Sequence, residues 1–378
     1  MELNNSIDKE WANFISSTYD DDISSDEETT NEIIQQTPEE FLSANLSADI
    51  NSTAPKSTEI YISTKTKIAY LNTPIDLKDV FWKIPIIPYA KPSIGIIKKQ
   101  MKFNTDSADE LQNIQDKIEK DAYVEEHVIT HIDNPSGRIK FKDTRKISIG
   151  ISKKDILSYR CKKKSAFYNC FVLIVRLKMD NVFKEYHVKV FNTGKLEIPG
   201  IQCEKSFNML LNQVIQTLQP YIETTLAYKE NTNETVLINS NFNCGFFINR
   251  ESLYEILKFK YNIQSIYDPC SYPGIQCKFY YNPDVEIQNG CQISEENKTL
   301  YKNVKGISFM IFRTGSVLIV GRCDEDVLII IYDYLKIILN NEYKNICQKK
   351  IKNQDENKED LKKKKTRRKN ITIEVDNA

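Results

Sequence analysis

The chain is short of the groups that most enzymes use. Its 378 residues contain three histidines, His127, His131 and His187. It has no Gly-x-x-x-x-Gly-Lys loop, no Gly-x-Gly-x-x-Gly turn, no Gly-x-Ser-x-Gly elbow and no His-Glu-x-x-His helix. That excludes the usual phosphate cradles, the strained-turn nucleophile and the zincin metal site. His127 and His131 stand four residues apart beside Glu125 and Glu126, but Ile129, Thr130 and Ile132 predict a strand. Side chains at i and i+4 of a strand share a face yet lie too far apart to chelate one ion. His187 has no serine or cysteine motif beside it and reads as a surface strand residue. The nine cysteines form no Cys-x-x-Cys pair, and the nearest pairs, Cys161/Cys170 and Cys270/Cys277, lack zinc-ligand spacing. An odd cysteine count and the lack of a signal-peptide pattern point to a reducing compartment. No apolar run approaches the thickness of a bilayer; Val327–Ile331 is broken by Tyr332 and Asp333. The expectation is an intracellular protein that does no chemistry and needs no cofactor, no metal and no membrane.

Charge is balanced overall but not along the chain. Residues 1–57 hold thirteen acidic and two basic side chains, a net −11, and since the formal total is zero the remainder carries +11. An acidic arm on a basic body fits a polyanion-binding surface for which the arm competes; a purely solubilising tail has the same composition. The arm is polar and aperiodic, which predicts disorder, with one apolar cluster at Trp11, Phe14 and Ile15. At the other end a basic tail, 344–378, includes the run Lys362–Lys369. Such runs contact phosphates or serve nuclear import.

What the chain does have is a repeat. Phe191-Asn-Thr-Gly-Lys-Leu-Glu-Ile-Pro-Gly200 and Phe312-Arg-Thr-Gly-Ser-Val-Leu-Ile-Val-Gly321 align without a gap as Phe-x-Thr-Gly-x-apolar-x-Ile-x-Gly. Each follows an alternating strand pattern and precedes an amphipathic helix, so one supersecondary unit occurs twice. In the first copy Phe171–Met179 reads as a buried strand. Lys184–Phe191 alternates with Tyr186, Val188 and Val190 on one face, a Thr193-Gly194 turn follows, and Lys195–Pro199 returns. A helix over 204–222 carries Phe207, Leu210, Leu211, Val214 and Leu218. Upstream, Ile60, Ile62, Ile68 and Tyr70 fall on even positions of a strand. Asn72–Asp76 opens a short helix with Pro74 in its first turn, and Ile94–Phe103 reads as another strand. Residues 104–145 read as a charged, loop-like insertion with one helix at Ala108–Asp121. The second copy runs Val236–Phe242, a helix at Arg250–Phe259, Gly274–Tyr280, a polar insertion 282–304, the second hairpin, and a helix capped by Asp324. The predicted domains are an acidic arm 1–57, a first repeat 58–230, a second repeat 231–343 and the tail 344–378.

These residues resemble the TATA-box-binding protein (TBP) family. The resemblance rests on the paired hairpins and on Asp76-Leu77-Lys78 in the first short helix. It rests too on Ser271-Tyr-Pro-Gly-Ile-Gln-Cys-Lys278, which is similar to the family's Phe-Pro-Gly strand. It covers roughly 58–340 without the insertions, and a divergent member such as the TBP-like proteins of large nucleocytoplasmic DNA viruses would fit. The resemblance implies an α+β fold, a pseudo-two-fold saddle of curved antiparallel sheet with helices on its convex side. It implies binding of double-stranded AT-rich DNA through the minor groove, with aromatic wedges that kink the duplex. Partners would be an RNA polymerase or a TFIIB-like factor. The place of action would be a viral factory in the host cytoplasm or the virion for a viral protein, otherwise the nucleus.

Carried over residue by residue, Phe191 and Phe312 match wedge phenylalanines, and Tyr272 the ring before Pro-Gly. The first-repeat counterpart of Tyr272 falls on Ser93 or Cys170, the second being favoured, and neither is aromatic. Met310, Leu318 and Val320 match apolar groove contacts, whereas Lys189, Glu197 and Pro199 depart from them. A glutamate there would repel the groove. Asn239 and Asn241 are candidates for base-edge contacts, with Thr64 or Ser63 near the matching place. Lys195 and Lys278 match phosphate contacts, with Arg176, or Lys99, in the first half. Two other readings stay open: a TBP-fold protein-interaction module that has lost DNA bending, and a nucleic-acid enzyme using the fold as a platform.

Overall fold

Alternating and all-apolar runs fold as antiparallel strands, and the long amphipathic stretches as helices packed on one face of them. The computed structural model describes residues 54–119, 121, 123–157, 169–230, 232–293 and 301–348. The expectations for the acidic arm through residue 53, for Trp11, Phe14 and Ile15, for Cys161 and for Lys362–Lys369 lie outside the described residues. The chain divides into two units. Unit 1 is Thr66–Glu234; unit 2 joins the described residues up to Lys65 with those from Thr235 onward.

Unit 1 takes β1 (Tyr61–Tyr70) from Thr66, then α1 (Leu77–Lys83), β2 (Gly95–Thr105), α2 (Ala108–Ile118), β3 (Val124–Asp133) and β4 (Phe141–Gly150). It continues with α3 (Lys153–Leu157), β5 (Cys170–Met179), β6 (Val182–Phe191), β7 (Lys195–Ile201) and α4 (Glu204–Leu218). Its strand order is β3-β4-β2-β5-β6-β7-β1. The core lies between this sheet and its helices. Phe207, Leu210, Leu211, Val214 and Leu218 of α4 are all fully buried against Phe171, Leu173, Val175, Val188 and Val190. That stripe alone is worth on the order of 10 kcal/mol of apolar burial.

Unit 2 holds β8 (Glu234–Asn243), α5 (Arg250–Glu255, continued by a π-helical turn Ile256–Lys260), β9 (Gln264–Ile266), β10 (Ile275–Tyr281), β11 (Lys305–Ile311), β12 (Ser316–Gly321), α6 (Glu325–Asn341) and α7 (Tyr343–Ile346). Its order is β8-β12-β11-β10-β9, with Leu328, Ile331, Leu335, Ile338 and Leu339 of α6 buried on it.

The repeat extends to single hydrogen bonds. In each hairpin the glycine N–H donates to the phenylalanine carbonyl at 3.0 Å, Gly194 to Phe191 and Gly315 to Phe312. Both glycines have left-handed φ, +79° and +82°. A turn followed by a left-handed glycine is the three-residue hairpin loop. Each turn is also bound by the segment that leads into the short helix. Leu71 and Cys244 N–H donate to the two glycine carbonyls at 2.8 and 3.0 Å; Ile75 and Ile248 N–H donate to Asn192 and Arg313 carbonyls, both at 2.9 Å. The next residues, Asp76 and Asn249, cap α1 and α5 with their side chains. These matched bonds fix which residue of unit 1 stands where in unit 2.

Four expectations change. Residues 104–145 are not loop-like: they hold α2, which ends at Ile118, all of β3 and the start of β4. Ser107 caps α2, its hydroxyl accepting from Glu110 N at 3.2 Å. Pro74 precedes the Asp76 cap and is not in the first turn of α1. The even positions of β1 are not one core face: Ile60 and Ile62 pack on the core of unit 2, whereas odd-numbered Ala69 and Leu71 lie in that of unit 1. Finally, Lys344 begins no free tail, because it lies in α7, where Ile346 is fully buried.

Candidate nucleic-acid interface

In each unit the sheet face away from the helices carries the predicted contacts. On β6, Tyr186, Val188 and Val190 go to the core, which turns His187, Lys189 and Phe191 the other way. On β8, Ile238 and Phe242 are core residues, so Asn239, Asn241 and Asn243 share the opposite face. Asn243 is consumed by its loop, its Oδ1 accepting from Gly245 N at 2.7 Å. Asn241 donates to Ser63 Oγ at 2.9 Å, while Asn239 Oδ1 is buried with no hydrogen-bond partner.

In unit 2 the aromatic pair is assembled. Tyr272 and Phe312 rings meet edge to face at 5.9 Å, and Gly274 leaves room for both; a Cβ there would lie 3.1 Å from each ring. The Tyr272 hydroxyl sits 3.7 Å from Met310 Sδ. Met310 and Val320 are only 3% exposed, so of the three expected apolar contacts only Leu318 is half-exposed. Lys278 extends over the Tyr280 ring at 5.5 Å.

In unit 1 the equivalent positions differ chemically. Lys189 and Glu197 are cross-strand partners, as Met310 and Leu318 are in unit 2, and the two charges form an ion pair of 2.8 Å. The predicted repulsion from Glu197 is therefore neutralised within the hairpin. Phe191 is half-buried, with Lys195 Nζ 5.3 Å above its ring. Cys170, its cross-strand partner, is buried, which pushes its thiol up to about 11.

Registers correct three assignments. Phe171 pairs with Val190 as Ile275 pairs with Ile311, so Cys170 stands at the place of Gly274, not of Tyr272. Two residues before Gly274 is Tyr272; two before Cys170 is Tyr168, an aromatic missed because alignment began at the strand's first residue. Tyr168 itself lies outside the described residues. By the same register Ile174, not Arg176, stands at the place of Lys278. Arg176 is 6% exposed, its guanidinium donating to the carbonyls of Tyr89 and Lys91 at 3.0 and 3.1 Å and stacked 4.6 Å from the Tyr89 ring. It has no reach to a phosphate. Lys99 is likewise inside, donating to Ile84 O at 2.8 Å, with burial lowering its pKa. The matched bonds at Leu71 and Cys244 make Thr66 the counterpart of Asn239 and Ile68 that of Asn241; Thr64, 6% exposed, matches neither.

Segments of unit 1 also close over part of this face. Lys98 reaches Asp155 at 2.8 Å, Ser152 donates twice to the same carboxylate, and Lys153 N donates to Glu185 at 2.9 Å. Burial raises Asp155, but the bonds from Lys98 and Ser152 outweigh it and hold the carboxyl below its ordinary range. On the other face, at the edge of the sheet, Asp143 takes two bonds from Arg145 at 2.6 and 2.7 Å and one from His131 at 2.8 Å, and Arg145 also binds Glu126. His131 is thus a hydrogen-bond partner of Asp143. Among the described residues no three His, Cys, Asp or Glu side chains converge as metal ligands, and no helix is long and apolar enough to cross a membrane.

A repeated strand–helix–hairpin–helix unit with a ring at each hairpin turn defines an α+β protein built from two like units. No protein-family model matches the chain. It is 25% identical over 210 residues to a protein of Acanthamoeba polyphaga mimivirus described as TATA-box-binding protein-like, covering 50% of this chain and 53% of that one. The chain thus spans about half the length of that relative. Among solved structures it is similar to Methanococcus jannaschii TBP, at 13% identity and a TM-score of 0.36, over 74% of this chain and 97% of that chain. The resemblance read from the hairpins is borne out by this similarity to a TATA-box-binding protein-like protein.

Proposed function

We propose that this protein is a transcription initiation factor that binds AT-rich promoter duplex through the minor groove, bends it and recruits an RNA polymerase or a TFIIB-like factor. The observation that supports it most is the recurrence, in both units, of a phenylalanine at a Phe-x-Thr-Gly turn on the sheet face opposite α4 or α6. In this reading each ring enters a base step. Unstacking costs roughly a few kcal/mol per step, offset by the larger contact a bent duplex offers. AT-rich sequence is favoured because the groove code is degenerate and deformability decides. The exposed faces of α4 and α6 are the surfaces offered to the transcription machinery. No chemistry on the nucleic acid is part of this reading, and the place of action is where viral transcription occurs.

The test is a short AT-rich duplex carrying a fluorophore at each end. Wild type should bring the ends together, and a Phe191→Ala/Phe312→Ala variant should not. No preference for AT-rich over GC-rich duplex at moderate salt sinks the proposal. The interaction-module reading then stands; its partner binding would change little with salt, whereas DNA binding falls steeply.

A further inference from the structure

A short segment lies across the sheet face of unit 1 that is turned away from α4. β4 ends at Gly150. Its left-handed φ of +96°, and the 2.2 Å that a Cβ there would leave to Ile97 O, mark where the chain turns over β2. Residues 151–157 then run across the strands. Asp155 accepts from Lys98 Nζ of β2 at 2.8 Å, and Lys153 N donates to Glu185 of β6 at 2.9 Å. β5 lies between those two strands, so the anchors straddle it at two strand spacings, about 10 Å. Ile174 of β5, cross-strand partner of both Lys98 and His187, is 2% exposed. Lys98 and Arg176, on the same face, are 4% and 6% exposed. By register, the unit 2 counterparts of Ile174 and Arg176 are Lys278 and Tyr280, and both are only half-buried. The face formed by β2, β5 and the start of β6 is thus covered in unit 1. No side chain of α3 is buried, and its Asp155 is joined to the sheet by an ion pair. Segments with few buried apolar side chains open at lower free energy than the core strands beneath them.

We propose that residues 151–157 are an autoinhibitory strap: closed, they occlude the β2–β5 part of the unit 1 face, and duplex binding displaces them. This rests on the DNA-binding reading above. The anchor at Glu185 is roughly 20 Å along β6 from Phe191. The ring at the hairpin can therefore meet a base step while the strap is shut, but the duplex lies down on β5 and β2 only after it opens. Apparent affinity then falls with the fraction of molecules whose strap is open. Loosening the anchors raises that fraction, and so tightens binding, without adding any contact to the DNA.

The experiment uses the full chain and an AT-rich duplex, with amide hydrogen exchange read by mass spectrometry on peptides covering 151–157. Opening frees the Lys153 amide from Glu185, so saturating duplex should speed exchange in these peptides while β5 keeps its protection. Anisotropy then compares wild type with Lys98→Met/Asp155→Asn, which removes the ion pair and leaves the net charge of the chain unchanged. This variant should bind roughly fivefold tighter, the factor expected from loosening a partly exposed pair. Lys98→Met alone should also bind tighter, against the sign expected for losing a positive charge near phosphate. Exchange that duplex leaves unchanged or slows, or variants that bind no tighter, overturns the strap and leaves the bending proposal standing. If the variants do not fold, the exchange of wild type decides alone. Failure of wild type to bind any duplex removes the DNA-binding reading, and the strap with it.

Discussion

Glu197→Gln is the sharpest probe of how unit 1 meets DNA. In the native chain Lys189 and Glu197 lie 2.8 Å apart with side chains 15% and 25% exposed, so the pair offers the groove no net charge. The substitution keeps the shape, leaves a hydrogen-bond acceptor for Lys189 and exposes one positive charge to the phosphates. One added phosphate neutralised steepens the salt slope by about 0.9, which over a fourfold rise in salt is a factor of about 3.5. Removing the repelling carboxylate and gaining the lysine together contribute roughly 1 kcal/mol, near fivefold in affinity at about 50 mM salt and little more than onefold at 200 mM. The stability cost lies between that of an exposed and a buried pair, about 1–2 kcal/mol. Anisotropy titrations on an AT-rich duplex at several salt concentrations, with urea unfolding alongside, measure both terms. Lys189→Met is the control: it leaves Glu197 unpaired and should weaken binding. An unchanged slope for Glu197→Gln, or looser binding, means that this hairpin face does not approach phosphate, and the reasoning is refuted.

The edge network gives a stability prediction. Asp143→Ala strips Arg145 of two of its bonds while its side chain is 6% exposed, and should cost about 3–5 kcal/mol in denaturant unfolding; a loss under about 1 kcal/mol contradicts the burial argument. The carboxyls of Asp143 and Asp155 are each pushed up by burial, yet both are held below the ordinary range, Asp143 by Arg145 and His131, Asp155 by Lys98 and Ser152. Depressed acids contribute stability that is present above the unfolded-state pKa of about 4 and lost as pH falls through the folded value. Melting temperature should thus drop as pH is taken below about 4, and by less in a variant with both acids replaced by asparagine. Gly315→Ala combines a φ of +82° with a Cβ 2.4 Å from the Phe246 carbonyl oxygen, whereas Gly200→Ala at +78° meets nothing within 4 Å. The first should lose at least twice the roughly 1–2 kcal/mol of backbone strain expected for the second; equal losses in thermal melts would show that the hairpin yields.

The hairpins, α4, α6 and the core faces of β5 and β6 were legible because each has a single period. The rest was hidden for specific reasons. β3 and β4, with sequences VEEHVITHID and FKDTRKISIG, carry charge on both faces, since Asp143 and Arg145 are buried as a pair on the helix side while Lys142 and Lys146 lie on the other. The phase change in β1 cannot be seen by counting twos. Glu197 looked unpaired because a two-residue Thr193-Gly194 turn would set Lys189 opposite Ile198. The loop actually formed shifts the register by one, to Glu197. The same sensitivity separated Cys170 from Tyr168 and Ile174 from Arg176: motif matching finds the strand, but only the hydrogen-bond register says which residue faces which. Arg176 was further misleading because nothing near it in sequence announces that the carbonyls of Tyr89 and Lys91 will enclose it.

The manner in which β3 and β4 were added has an evolutionary side. β2 and β5 are direct neighbours although everything from Asp106 to Asn169 lies between them in the chain. The extra strands dock on the outer rim of β2, so the older pairing was never interrupted. In unit 2 the corresponding rim is the three-residue β9, a stub that admits no further strand. A sheet with one closed margin and one open margin can acquire new segments only on the open side. Lineages of this protein should therefore differ most in length between β2 and β5, and chimaeras that graft or excise modules there should leave both hairpins undisturbed.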